Sequence, residues 1–329
     1  MIRRFQEKKA RPKKIGLALG SGSSRGWAHI GVIKALTEAG IHIVYVAGTS
    51  IGAVVGSVFA SGRIATLEDI VLQFDWKQIV YFLDIVFPKS GMIDGNKITE
   101  FIREQVRAKT IEELPLPFAA VSTDLATGRE VVIREGDIIE AVRASISVPG
   151  IFTPISRAGM VLLDGGLVNP VPVSVVREMG ADFVIAVDIN HDIISKKRNG
   201  RSVAPEPVPH TPETENGQSP IKKNKILSAL NAKFKSIDFS AFSNLRQWTS
   251  RNSMPNIFEV LLTSINIMET QITAARLKTD PPDILIQPAL GHIRFLEFNR
   301  AEEAITEGYK EMKSHINLLI KEGQEDAHQ

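Results

Sequence analysis

The stretch Ile43-Val-Tyr-Val-Ala47 is apolar and rich in β-branched residues, and it runs into Gly48-Thr49-Ser50-Ile51-Gly52 before a pattern that is apolar nearly all round to Ala60. An unbroken apolar strand followed by a buried helix belongs to a parallel sheet covered on both faces. The same arrangement occurs just upstream. Ile15–Leu19 reads as a short buried strand, Gly20–Gly26 as a small-residue loop, and Trp27, Ile30, Ile33 and Leu36 as one helical face that stops at Gly40. Strand, helix, strand, helix at this spacing predicts the α/β class with a mainly parallel central sheet. Gly52, Gly56 and Ala60 recur every four residues. One face of the second helix is therefore nearly flat and can lie close against a sheet.

The alternation continues with a helix over 98–106, a strand over 118–122 and a short strand over 131–133 paired across Thr127-Gly128. A helix over 138–144 follows, then a strand over 160–163 that ends in Asp164-Gly165-Gly166, a helix over 173–179 and a strand over 183–187. Residues 195–224 then bring five prolines, many charges and few large apolar side chains, the composition of a mobile insertion. Globular pattern resumes with a helix over 257–277, a strand over 284–286 and a helix over 300–320. The expected organisation is a basic tail over 1–14, one domain over 15–320 interrupted at about 195–250, and a polar tail over 321–329.

Charge and cysteine content narrow the chemistry. The 329 residues contain no cysteine, which excludes disulfides, thiolate metal sites and cysteine nucleophiles. The net charge is only +2, but seven Lys/Arg crowd residues 1–14 and eleven fall in 196–251, so two basic segments sit on an acidic body. Such segments suit an anionic lipid surface; charge runs are also commonly just solvated. No run approaches 18 apolar residues, and the basic start lacks the apolar core of a secretion signal. The expectation is a cytoplasmic protein, peripheral at most to the inner face of the membrane, with no nucleic-acid partner. No cofactor and no metal are expected, and the sequence leaves the oligomeric state open.

Gly48-x-Ser50-x-Gly52 between a strand and a helix places a serine on a sharp turn at the head of a helix. There the free amides and the helix dipole favour developing negative charge. The same turn could merely cap the helix. Gly20–Gly26 also links a strand to a helix and points several amides at one spot, with Arg25 near the helix start. A dinucleotide fingerprint would need a third glycine where Arg25 stands, and a phosphate loop would need Gly-Lys-Ser/Thr. Alone the loop is ambiguous; ahead of an exposed nucleophile the favoured reading is an oxyanion hole, with Gly22 and Ser23 as donors. Asp164, at the end of a strand and followed by two glycines, is a candidate proton acceptor, or else a turn aspartate. His191 and His292 follow it in the order of a Ser–Asp–His triad, though both fall in loop-like sequence.

Taken together, GSGSSRGWAHIGVIK from Gly20, the elbow AGTSIGAVVGS, ASISVPGIFTPI at 144–155, LLDGGLVNPVPV at 162–173 and DPPDILIQP at 280–288 resemble the patatin-like phospholipase family, nearest to its bacterial RssA-like branch. The resemblance implies a three-layer α/β/α fold and hydrolysis of phospholipid or lysophospholipid esters by a Ser–Asp dyad without histidine. By position it makes Ser50 the nucleophile and Asp164 the base, with the oxyanion hole in the glycine loop. Gly20, Arg25, Gly26, Gly48, Gly52, Gly165 and Gly166 are the supporting motif residues. The alternative is a catalytically weak lipid-binding or regulatory protein of the same fold. The loop departs from the family's glycines at Ser21 and Ser23, and a positive φ there would cost more than at glycine. Two further segments are candidates for lipid contact. The aromatic run over 76–87 could line an acyl groove or be an ordinary core helix, and residues 225–251 have the composition of an interfacial amphipathic helix.

Overall fold

The computed structural model describes residues 13–75, 78, 95–193 and 257–325. The chain divides into two units, residues 200–260 and the remainder, and the fold described here is that of the remainder. The segment 225–251 and, apart from Gln78, the aromatic run over 76–87 lie outside the described residues.

Eight strands form one sheet. They are β1 (Ile15–Leu19), β2 (Ile43–Thr49), β3 (Phe118–Asp124), β4 (Glu130–Ile133), β5 (Ile155–Arg157), β6 (Met160–Asp164), β7 (Phe183–Val187) and β8 (Ile284–Ile286). Their order is β5-β6-β3-β2-β1-β7-β8, with β4 paired to β3. Four pairings are parallel and three antiparallel, the latter all on the β3–β6 side. The mainly parallel expectation therefore holds for β1, β2, β3, β7 and β8, while the remaining edge is a meander.

The helices α1 (Ala28–Glu38), α2 (Ile51–Ala60), α3 (Ile64–Val71), α4 (Asn96–Val106), α5 (Ile138–Ser145), α6 (Val173–Glu178), α7 (Ile257–Thr279) and α8 (Ala301–Glu325) cover the sheet. Each strand sorts its side chains by alternation. Leu17, Leu19, Val46, Phe118, Ala120, Ile185 and Val187 enter a large core with α1–α5 and α8, while Ala18, Ala47, Ala119 and Ala186 face α6. The alanines make that second layer thin. The flat face of α2 serves the opposite layer, where a Cβ at Gly56 would stand 3.1 Å from the Phe118 ring and 3.2 Å from Val46. Close contact there brings the head of α2 down onto the ends of β1 and β2.

One feature of the sheet positions the site. β3 runs beside β2 over Phe118–Val121, with Thr49 opposite Val121, and beside β6 over Ser122–Asp124, with Asp164 opposite Ser122. Because β6 is antiparallel to β3, the carboxyl ends of β2 and β6 arrive from opposite directions at consecutive residues of β3. The sequence motifs alone suggest a shared carboxyl edge. The structure instead brings the two strand ends head to head.

Candidate active site

Ser50 stands between β2 and α2 with φ 56° and ψ −123°, a conformation that non-glycine residues rarely adopt. The turn is too tight for side chains at its flanks. A Cβ on Gly48 would lie 2.2 Å from the Gly52 carbonyl oxygen, and one on Gly52 would lie 2.1 Å from that of Leu19. The Ser50 amide donates to Ser145 Oγ at 2.9 Å, and Ser145 donates in turn to the Val121 carbonyl at 2.6 Å. Ser145, at the end of α5, thus ties the elbow to β3. Sequence reasoning gave it no role, because nothing local distinguishes it from other helix-end serines.

The Ser50 hydroxyl donates to Asp164 Oδ2 at 2.5 Å. Asp164 Oδ1 accepts from the Gly166 amide at 2.7 Å, and its backbone is held by Ser147 and Thr123. Asp164 is 2% exposed and Ser50 7%. Burial pushes the Asp164 carboxyl well above the usual carboxylate range, opposed by the hydrogen bonds from Ser50 and Gly166. A carboxyl raised in this way is a far better proton acceptor near neutral pH than a free aspartate.

The glycine loop lies beside this pair. The Gly20, Ser21 and Ser24 amides donate to the Val187, Pro170 and Phe295 carbonyls. Between them, the Gly22 and Ser23 amides have no protein acceptor among the described residues, and both residues line a chamber with Ser50 and Asp164. Ser23 does take a positive φ, 54°, which costs an L-residue about 1–2 kcal/mol. Its hydroxyl donates to the Phe295 carbonyl at 2.6 Å, and that of Ser24 donates to the Arg294 carbonyl at 2.6 Å. Ser23, one of the two serines at which the loop departs from the family's glycines, and Ser24 therefore fasten the loop to the segment after β8.

Arg25 is buried, with Nη1 on the Ile293 carbonyl at 3.3 Å and Nη2 on Asn266 Oδ1 of α7 at 3.2 Å. Burial lowers its pKa to about 10, opposed by Glu269, Asp192 and Asp188, so it remains a cation at neutral pH. Gly26 meets Ile51, where a Cβ would stand 2.2 Å away. His29, an ordinary helix residue by sequence, is fully buried, and burial holds its pKa down at about 4. The neutral ring donates from Nε2 to the Gly20 carbonyl at 2.8 Å, since a carbonyl can only accept.

An apolar groove leads away from Ser50. It encloses about 840 Å³ including its open mouth, and thirteen of its fifteen lining residues are apolar, among them Trp27, Phe74, Phe101, Phe295 and Phe298. Sequence reasoning missed these aromatics, which come from four separate segments.

The family model described as Patatin-like phospholipase matches residues 17–177. An uncharacterized NTE family protein of Mycobacterium tuberculosis, Rv1063c, is 32% identical over 320 residues, covering 90% of this chain and 89% of that protein. The chain belongs to the patatin-like phospholipase family. Human patatin-like phospholipase domain-containing protein 6 is 36% identical over 182 residues, which are 53% of this chain and 13% of the human protein. Neuropathy target esterase sws of Drosophila melanogaster is 36% identical over 181 residues, with the same coverage. These matches do not single out the RssA-like branch. Members of a patatin-like phospholipase family act on lipid esters, so the general chemistry of this patatin-like chain is lipid ester hydrolysis. Glu269, Asn266 and the Phe295–Phe298 segment lie beyond the matched residues. No helix among the described residues is long and apolar enough to cross a membrane.

No histidine hydrogen-bonds to Ser50 or Asp164 among the described residues. His292 pairs with Glu303 on the surface at 2.5 Å. His292→Ala and His191→Ala are each expected to keep ester turnover within about threefold of wild type, well short of the about 100-fold or greater loss expected on removing a general base. A loss of that size in either variant, measured as kcat, would restore a triad.

Proposed function

We propose that this protein is a carboxylic-ester hydrolase that cleaves phospholipid or lysophospholipid esters through a Ser50–Asp164 dyad. The observation that carries this reading is the buried hydrogen bond from the Ser50 hydroxyl to Asp164, on a strained turn beside free amides. In the first half-reaction Asp164 takes the hydroxyl proton as Ser50 Oγ bonds to the acyl carbonyl carbon. The Gly22 and Ser23 amides hold the oxyanion, each such donor contributing about 2.7–4 kcal/mol. The alcohol leaves with the proton from Asp164. Water then attacks the acyl-serine, Asp164 again taking the proton, and the fatty acid departs as Ser50 is re-protonated. Helix α2 begins at Ile51, so its positive end also faces the developing charge. The groove supports an acyl chain as the part of the substrate bound, and with it a lipid ester.

Peripheral contact with an anionic membrane is part of the same proposal and rests on the two basic segments of the sequence. The test of the dyad is covalent. An alkyl fluorophosphonate is expected to label wild type at Ser50, identified by peptide mass spectrometry, and to leave Ser50→Ala unlabelled. Labelling should be slowed by lysophospholipid, which competes for the groove. Wild type that takes no label and turns over no ester in a lipid panel would leave the lipid-binding, catalytically weak reading in its place.

A further inference from the structure

Three acidic side chains surround a buried cation beside the dyad. Glu269, Asp192 and Asp188 lie around Arg25, and these three and Asp164 are each under a tenth exposed. Their hydrogen-bond partners differ. Asp188 accepts from the Asn190 amide and from Gln287, Asp192 from the Gly291 amide, and Asp164 from Ser50 and the Gly166 amide. Glu269 accepts from the neutral side-chain amide of Asn190 at 3.1 Å. Its Oε1 and Asp164 Oδ1 lie 2.1 and 3.0 Å from the one point where a Cβ on Gly166 would sit, which places the two carboxyls within the span of a single bridging water. Glu269 also lines the chamber that holds Ser50 and the Gly22 and Ser23 amides. Two carboxyls buried this close to each other, neither in an ion pair among the described residues, cannot both be charged without a large cost, so a proton is retained between them.

We infer that Glu269, on α7, is a positioning residue of the catalytic pair. It holds a proton in the active enzyme, leaves Asp164 as the ionised base, and opposes catalysis when it loses that proton. Burial and the Asp164 charge both push Glu269 upward, against Arg25 and Asn190. Once ionised, it places a negative charge in the chamber where the oxyanion forms and beside the base. The expected result is an alkaline decline in activity set by Glu269, separate from the acidic decline set by Asp164.

This inference rests on the Ser50–Asp164 reading for its kinetic arm but not for its spectroscopic one. In the kinetic arm, kcat/KM is measured against pH. Glu269→Gln, which mimics the protonated form, should move the alkaline limb upward by at least about one pH unit or abolish it. Glu269→Asp, which can still ionise, should retain such a limb. A purely structural role would lower turnover at every pH and leave the limb in place, and that outcome overturns the proposal. In the spectroscopic arm, wild type should show a protonated-carboxyl infrared band that titrates at alkaline pH. In Asp164→Asn the band should titrate at least about one pH unit lower, because the neighbouring charge is gone. A band unmoved by Asp164→Asn overturns the inference even if Glu269→Gln fails to fold. If Ser50→Ala keeps full turnover, the dyad reading falls while the infrared result still decides Glu269.

Discussion

Asp164→Asn is expected to lower kcat/KM for a lipid ester by about 10⁴-fold and, at neutral pH, to make the folded protein more stable than wild type. The kinetic part follows from the geometry, since the amide cannot accept the Ser50 proton. Losses of about this size accompany removal of a member of a nucleophile–base unit. Ser50→Ala should cost as much, and the double variant no more than either, because the two groups act as one. Additive losses would show that they work separately. The stability part follows from linkage. The native Asp164 carboxyl titrates above its unfolded value, so between the two values the native chain binds more protons than the unfolded chain. Stability therefore falls as pH rises through that window, and the full cost of the buried charge is present above it. The amide never ionises and escapes the cost. The gain, read as a higher urea midpoint at unchanged slope, should shrink on acidification and vanish below about pH 4. The amide precedes Gly165, a pairing prone to deamidation, so fresh protein is used. A variant less stable than wild type at neutral pH would mean that Asp164 is held for structure rather than for its basicity.

Gly52→Ala should be the most damaging single methyl addition at the elbow. The new carbon would stand 2.1 Å from the Leu19 carbonyl oxygen, a backbone atom with no rotamer to change, and 2.9 Å from that of Gly20. Either α2 lifts from β1 or the glycine loop shifts. Overpacking of this kind costs about 3 kcal/mol, seen as a lower denaturant midpoint. Displacing Ser50 by about 1 Å should remove a further ~100-fold of turnover in whatever protein folds. Gly128→Ala is the comparison. Its φ is +68° but nothing lies within 4 Å, so it should cost only the conformational penalty of about 1 kcal/mol and leave turnover alone. Equal effects from the two substitutions would show that the elbow is not sterically closed.

Much of this site was legible because its signals are local. Gly48, Ser50 and Gly52 announce a sharp turn within five residues, and Asp164-Gly165-Gly166 announces a strand end with backbone on close approach. Ser145, His29 and Glu269 announce nothing, since a helix serine, a helix histidine and a helix glutamate are ordinary on any surface. Their burial beside Ser50, Gly20 and Asp164 depends on packing, in two of the three cases between segments about 100 residues apart. The same is true of the groove, whose aromatics share no periodicity.

Most of the order of strands and helices, the elbow and the glycine loop follow from the sequence alone, because short-range spacing fixes backbone conformation; helix α3 and strand β5 do not, and the pairing of Ser50 with Asp164 is what the family resemblance implies. Only the tertiary structure decided that β6 meets β2 head to head along β3 and that Glu269 lines the chamber beside the pair. Direction of pairing and burial of charge are set by what packs against a residue, not by its neighbours in the chain.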